Sequence, residues 1–109
     1  MNEYLQTARK TMQSLGKYNQ KAMKAFQEFM GAIKMDGALS GKFKELIGVG
    51  ISVAKQCQFC VAWHVKEALD HGATKEEIIE AGMTAITLDG GTSMMFMKYV
   101  YKAIEDFTN

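Results

Sequence analysis

The sequence predicts an all-α protein of about six helices. Three observations carry this. The 109 residues contain no proline, so the commonest helix breaker is missing and long helices are permitted throughout. Apolar residues recur at helical spacing along most of the chain, and the one segment that could be a strand has no second strand-like run to pair with. Glycines next to capping residues mark the joints between segments.

The elements follow in order. Residues 3–15 place Tyr4, Leu5, Ala8, Met12 and Leu15 at helical spacing, and Gly16 marks the end of that helix or a bend in it. Residues 18–34 set Tyr18, Ala22, Phe26, Phe29, Met30 and Ile33 on one face, an amphipathic helix. MDGALS is a turn built on Asp36-Gly37, and Ser40 suits the N-cap of the next helix. That segment, KFKELIGVGISVAKQ, is apolar almost all round. Its β-branched residues would also suit a buried strand, but its length favours a helix. Gly48 and Gly50 would let a neighbouring backbone approach closely.

Beyond the cysteines, VAWHVKEALDHG is helical, with Gly72 placed at C′. Thr74 to Glu77 form a capping box that opens the helix EEIIEAGMTAI. Asp89-Gly90-Gly91 breaks the chain again. A last helix, 92–107, carries Met94, Met95, Met97, Tyr99, Tyr101, Ile104 and Phe107. These exceed what one buried stripe needs. Either part of that surface is a subunit interface, or methionine simply fills gaps in the core.

Length is that of a single domain, residues 1–109. Thirteen Lys and Arg against twelve Asp and Glu give a net charge of +1, which is no electrostatic footprint for nucleic acid, whose binding would need a basic face. No apolar run approaches the ~20 residues of a membrane span. The start, MNEYLQTARK, has no apolar h-region of a secretory signal. The expected location is therefore the cytoplasm, where paired cysteines point to redox or metal chemistry before a structural staple.

Both cysteines fall in CQFCVAWH, residues 57–64. A helix starting at or just before Cys57 puts Cys57, Cys60 and His64 on one face. At a helix N-terminus the dipole and free N–H groups favour thiolate, and this spacing also permits a disulfide, so the pair could cycle between dithiol and disulfide. Zinc is the first rival, since two thiols and an imidazole are good ligands. Cys57 and His64, however, lie roughly 10 Å apart along a helix at ~1.5 Å per residue, and His71 is too far on to join them. Haem attachment needs CxxCH, and Val61 stands at the histidine position. A purely structural role for two small apolar thiols is the remaining alternative. Thus no cofactor and no metal is expected.

Glu45 is the second anomaly, a carboxylate in a run, ELIGVGISVA, otherwise free of charge. Burial would drive it toward the neutral form; alternatively it sits near the helix start after Ser40, where a carboxylate suits the dipole.

Glu45, Cys57, Cys60 and His64 together read E-x11-C-x2-C-x3-H. This resembles the redox motif of the AhpD-like alkylhydroperoxidases of the carboxymuconolactone decarboxylase family. DGALSGKFKELI and CVAWHVKEALDHGATKEEIIEA also look like that family, and the resemblance covers residues 25–108. It implies an all-α fold and a homo-oligomer, trimer or hexamer, with sites near subunit contacts. It implies a thiol-dependent peroxidase in which Cys60 meets the peroxide, Cys57 resolves it, and His64 with Glu45 forms a proton relay, directly or through water. An external dithiol, in some members a protein-bound lipoyl group, would then reduce the disulfide. The dipole argument taken alone favours Cys57 as the more acidic thiol, so the order of the two cysteines has two readings. Phe59 stands where some peroxidatic relatives have histidine, which removes a proton-handling group and puts the lipoyl partner in question. Phe59 and Trp63 either line the approach to the thiols or pack in the core. The name-giving lactone decarboxylation belongs to members that generally lack the cysteine pair and is not expected. Competing functions are a protein disulfide reductase, a redox sensor without peroxide turnover, and a zinc-binding structural domain.

Overall fold

Asn19 closes one helix and opens the next. The structure, a computed structural model, describes residues 1–108. In it α1 (Asn2–Tyr18) ends where the Asn19 N–H donates to the Leu15 carbonyl at 2.8 Å, and α2 (Gln20–Lys34) begins where the Asn19 side chain accepts from the Ala22 N–H at 3.0 Å. Gly16 does not stop α1, which runs two residues past it. An interior helical glycine costs only about 1 kcal/mol, while Asn19 caps both helices from one position.

The apolar segment after Ser40 is helical, α3 (Gly41–Lys55), with the Ser40 hydroxyl accepting from the Phe43 N–H at 3.2 Å. α4 (Gln58–Asp70) follows. α5 (Lys75–Met83) starts with both bonds of the capping box: the Glu77 N–H donates to the Thr74 hydroxyl at 3.1 Å, and the Thr74 N–H donates to the Glu77 carboxylate at 2.9 Å. α6 (Ile86–Asp89) is a single turn that the periodicity merges with its predecessor, and α7 (Gly91–Thr108) completes the six long helices. There is no strand among the described residues.

α3, α4, α5 and α7 enclose the core, which includes Val49, Val53, Val61, Val65, Ile78, Met97 and Val100. Each such side chain contributes about 1.5–3 kcal/mol by leaving water. Gly50 lets α5 seat against α3: a Cβ there would stand 2.9 Å from the Ala81 carbonyl oxygen. α1 lies along α4 and buries Leu5. α2 buries no residue, and Phe26, Phe29 and Ile33 are half exposed or more. Its amphipathic face is real, yet the described residues leave most of it uncovered. α7 divides its apolar surplus, with Met97 and Ile104 in the core and Met94, Met95 and Tyr101 at the surface. No helix of the described residues is long and apolar enough to cross a membrane.

Candidate active site

The junction of α3 and α4 builds the site from the backbone outward. Gln56 takes the left-handed conformation, φ 54°, which turns the chain sharply out of α3. Its N–H donates to the Val53 carbonyl and the next N–H, that of Cys57, donates to the Ser52 carbonyl, both at 3.1 Å. This is a Schellman ending, which usually has glycine at the left-handed position. At the end of α4 the same pair of bonds recurs, from the N–H of Gly72, φ 86°, to the Leu69 carbonyl and from that of Ala73 to the Ala68 carbonyl. Ser52 is itself buried and donates its hydroxyl to the Gly48 carbonyl at 2.6 Å.

Cys57 is consequently the last residue of one motif and the N-cap of the next helix. Its sulfur accepts from the Cys60 N–H at 3.1 Å. Sulfur is a weak acceptor when neutral and a much better one as thiolate, so this N–H and the start of the α4 dipole favour negative charge on Cys57. The two cysteines are joined as a disulfide across a Cα–Cα distance of 5.2 Å. One turn beyond Cys60 on the same helix stands His64.

His64 lies against α3. Its Nδ1 is 2.8 Å from Oε1 of Glu45, whose side chain is 1% exposed. The ring fits because position 48 has no side chain: a Cβ there would come within 2.5 Å of Nδ1. Glu45 also faces Lys34 from α2, with Nζ 3.0 Å from Oε2 and 3.4 Å from Oε1. The contact to Oε2 is an ion pair, not a well-directed hydrogen bond, and Oε2 is left without a hydrogen-bond partner. Burial pushes the Glu45 carboxyl up, but the hydrogen bonds from His64 and Lys34, with the charges of both, outweigh it and hold the group below the ordinary glutamate value. An ionised Glu45 can only accept, so Nδ1 of His64 carries the hydrogen and Nε2 is the nitrogen free to take a proton.

All four residues expected from the sequence therefore come from two adjoining helices, and Glu45 and His64 are in direct contact. Glu45 is not a dipole-tuned residue at an exposed helix start. It is in the second turn, buried, with one possible cation on each side. Lys34 was not foreseen: it is eleven residues from Glu45 and on another helix, and no local pattern connects them. Phe59 is 43% exposed, with its ring edge-on to Tyr4 of α1 at 5.0 Å between centroids. Trp63, for which core packing was one reading, is half-buried and lines an open apolar groove with Met12, Phe26, Met30 and Lys34. His71 is remote, its Nδ1 2.7 Å from the Glu67 carbonyl oxygen at the far end of α4. Among the described residues no three His, Cys, Asp or Glu side chains converge as a metal ion would require.

Comparisons with known proteins match most of this chain by sequence and nearly all of it by fold. The sequence model of the carboxymuconolactone decarboxylase family matches residues 20–102. An uncharacterised protein of Cupriavidus necator is 40% identical over 94 residues, which cover 86% of this chain and 80% of that protein. An uncharacterised protein encoded in the cox locus of Paracoccus denitrificans is 38% identical over 69 residues, 63% of this chain and 62% of its own. The crystal structure of an apo carboxymuconolactone decarboxylase family protein from Legionella pneumophila superimposes with a TM-score of 0.94 at 30% identity, covering 99% of this chain and 96% of that one. A family protein from Thermotoga maritima, suggested to take part in an antioxidative response, shares the fold with a TM-score of 0.81 at 24% identity, over 95% and 88% of the two chains.

Proposed function

From the premise that the chain belongs to the carboxymuconolactone decarboxylase family, we propose that it is a thiol-dependent peroxidase of the AhpD-like kind. The observation that carries the reading is the contact of His64 with buried Glu45, one helical turn from a cysteine already paired with its partner.

The cycle starts from the dithiol. His64 takes the Cys60 proton through Nε2, and Glu45 stabilises the resulting imidazolium. The Cys60 thiolate attacks one peroxide oxygen. An S–O bond forms, the O–O bond breaks, and the leaving alkoxide collects the proton from His64 and departs as alcohol. Cys57 then attacks the Cys60 sulfenic acid, the S–S bond forms, and water leaves. The protein has lost two electrons, which an external dithiol returns by exchange. Incoming thiolate at Cys60 would expel Cys57, whose sulfur already receives an N–H from Cys60. Geometry thus supports Cys60 as the outward-acting sulfur and Cys57 as the stabilised leaving thiolate. Exposed Phe59, with Tyr4 beside it, presents an apolar rim, which suits an organic hydroperoxide better than hydrogen peroxide.

A homo-oligomer belongs to the same proposal. It is supported by the uncovered apolar face of α2 and by Met94, Met95 and Tyr101 on α7.

The test is the intact mass of fully reduced protein against time with one equivalent of an organic hydroperoxide. Rapid loss of two hydrogens, with Cys57 joined to Cys60 in the peptide map, is expected, and Cys60→Ser should abolish turnover. An unchanged mass, or turnover that survives Cys60→Ser, would overturn the peroxidase reading in favour of disulfide exchange or redox sensing.

A further inference from the structure

We propose that Lys34 is a positioning residue of the redox site: from the last turn of α2 its ammonium keeps Glu45 as a carboxylate, so that Glu45 holds the Nδ1 hydrogen of His64 and Nε2 stays open for proton transfer. In its link to turnover this rests on the thiol-redox reading above.

The argument begins with the cost of a buried carboxylate. Glu45 is 1% exposed, and a carboxylate withdrawn from water drifts to its neutral form unless charge or hydrogen bonds hold it. A neutral imidazole offers one hydrogen bond and no charge. Lys34 supplies a full positive charge 3.0 Å from Oε2. Its side chain is 28% exposed, so solvent screens that charge only in part.

Losing the charge has a chemical consequence beyond weaker packing. A protonated Glu45 becomes a donor. It would give its hydrogen to Nδ1, and the imidazole would then carry its own hydrogen on Nε2. The ring atom that should accept a proton from Cys60 would be blocked. The sign of charge at Lys34 therefore selects the tautomer at His64 across one intervening carboxylate.

The ammonium is held in place by the neighbouring turn. Lys44, next to Glu45 on α3, donates to the carbonyls of Ile33 and Met35 at 2.7 and 2.6 Å. It fastens the end of α2 on both sides of Lys34. Among the described residues, Lys34 from α2 and His64 from α4 are the cationic groups at ion-pair distance from Glu45. A purely structural role would make Lys34 a tie between α2 and α3 with no influence on protonation.

The experiment separates these roles. The Glu45 carboxyl is titrated by carbon NMR in wild type, Lys34→Met, Lys34→Gln and Lys34→Arg, with helicity checked by circular dichroism. The midpoint should rise by about one pH unit or more in the Met and Gln variants and return to the wild-type value with Arg. The acid limb of dithiol oxidation by an organic hydroperoxide should move upward with it. In a Glu45→Gln background, Lys34→Met should slow oxidation no further. A Glu45 midpoint unchanged in folded Lys34→Met overturns the proposal, as does a further loss of rate in the double variant. If the midpoint moves while no variant, wild type included, reacts with hydroperoxide, the role of Lys34 stands and the peroxidase reading falls.

Discussion

Gly48 and His64 occupy adjoining helices so closely that a single carbon added to the glycine would stand 2.5 Å from the histidine Nδ1. The imidazole meets Glu45 because α3 has a gap there, one turn after the carboxylate on the same helix.

Gly48→Ala follows from this. Alanine is the better helix former by about 1 kcal/mol, but the methyl group must displace the imidazole. Displacements near 1 Å can cost about a hundredfold in rate, so oxidation of the reduced pair should slow by roughly ten- to a hundredfold while helicity is kept. Stopped-flow measurement of oxidation checks this, and a wild-type rate would show that the gap does not place His64.

The protonation of Glu45 predicts how stability responds to acid. Its folded-state pKa lies below the ordinary value, so its contribution is fully present above that value and is lost as pH falls through the depressed one. Glu77, lowered chiefly by the Thr74 N–H and then by Lys42, works in the same direction. Urea midpoints measured from neutrality down to pH 3 should fall on the acid side. The decline should be shallower in Glu45→Gln, which cannot titrate. Equal slopes in the two proteins would remove Glu45 from the explanation.

Two helix endings with the same hydrogen bonds give a matched pair of substitutions. Gln56 pays the strain of a left-handed residue with a side chain, roughly 1–2 kcal/mol; Gly72 does not. Gln56→Gly should stabilise the fold by about 1 kcal/mol, and Gly72→Gln should destabilise it by a similar amount. Chemical denaturation of both variants is the check. A loss of stability in Gln56→Gly would mean that the glutamine side chain has a role its backbone does not reveal.

The uncovered face of α2 predicts association. Phe29 is 62% exposed, so Phe29→Asp should leave the core untouched yet lower the subunit number seen by sedimentation velocity. A wild-type protein that sediments as a monomer would refute the oligomer outright.

Much of this architecture was legible in the residues. Ser40, Thr74 with Glu77, and Gly72 act at the ends where their side chains or lack of one demand. These are local effects, settled within one turn, and so readable from sequence. Glu45 and His64, linked in the sequence only by a spacing that matches a family pattern, are in contact in the fold. Asn19 was missed because Gly16, three residues earlier, is the more usual helix terminator, yet a helix tolerates one interior glycine. The left-handed Gln56 was hidden because tertiary packing, not propensity, imposes that conformation. Lys34 was hidden for a plainer reason: its partner belongs to a different helix, and an ion pair across elements leaves no period in the chain.

The turn around Cys57 has one more consequence. Its backbone is fastened to Ser52 behind and Val61 ahead, at 3.1 and 3.0 Å, and neither bond involves a sulfur. Opening or closing the S–S link therefore asks for little rearrangement of the main chain. On the peroxidase reading proposed above, such a site would accept and return electron pairs with small reorganisation, as suits a device that is cycled often more than one that is read once.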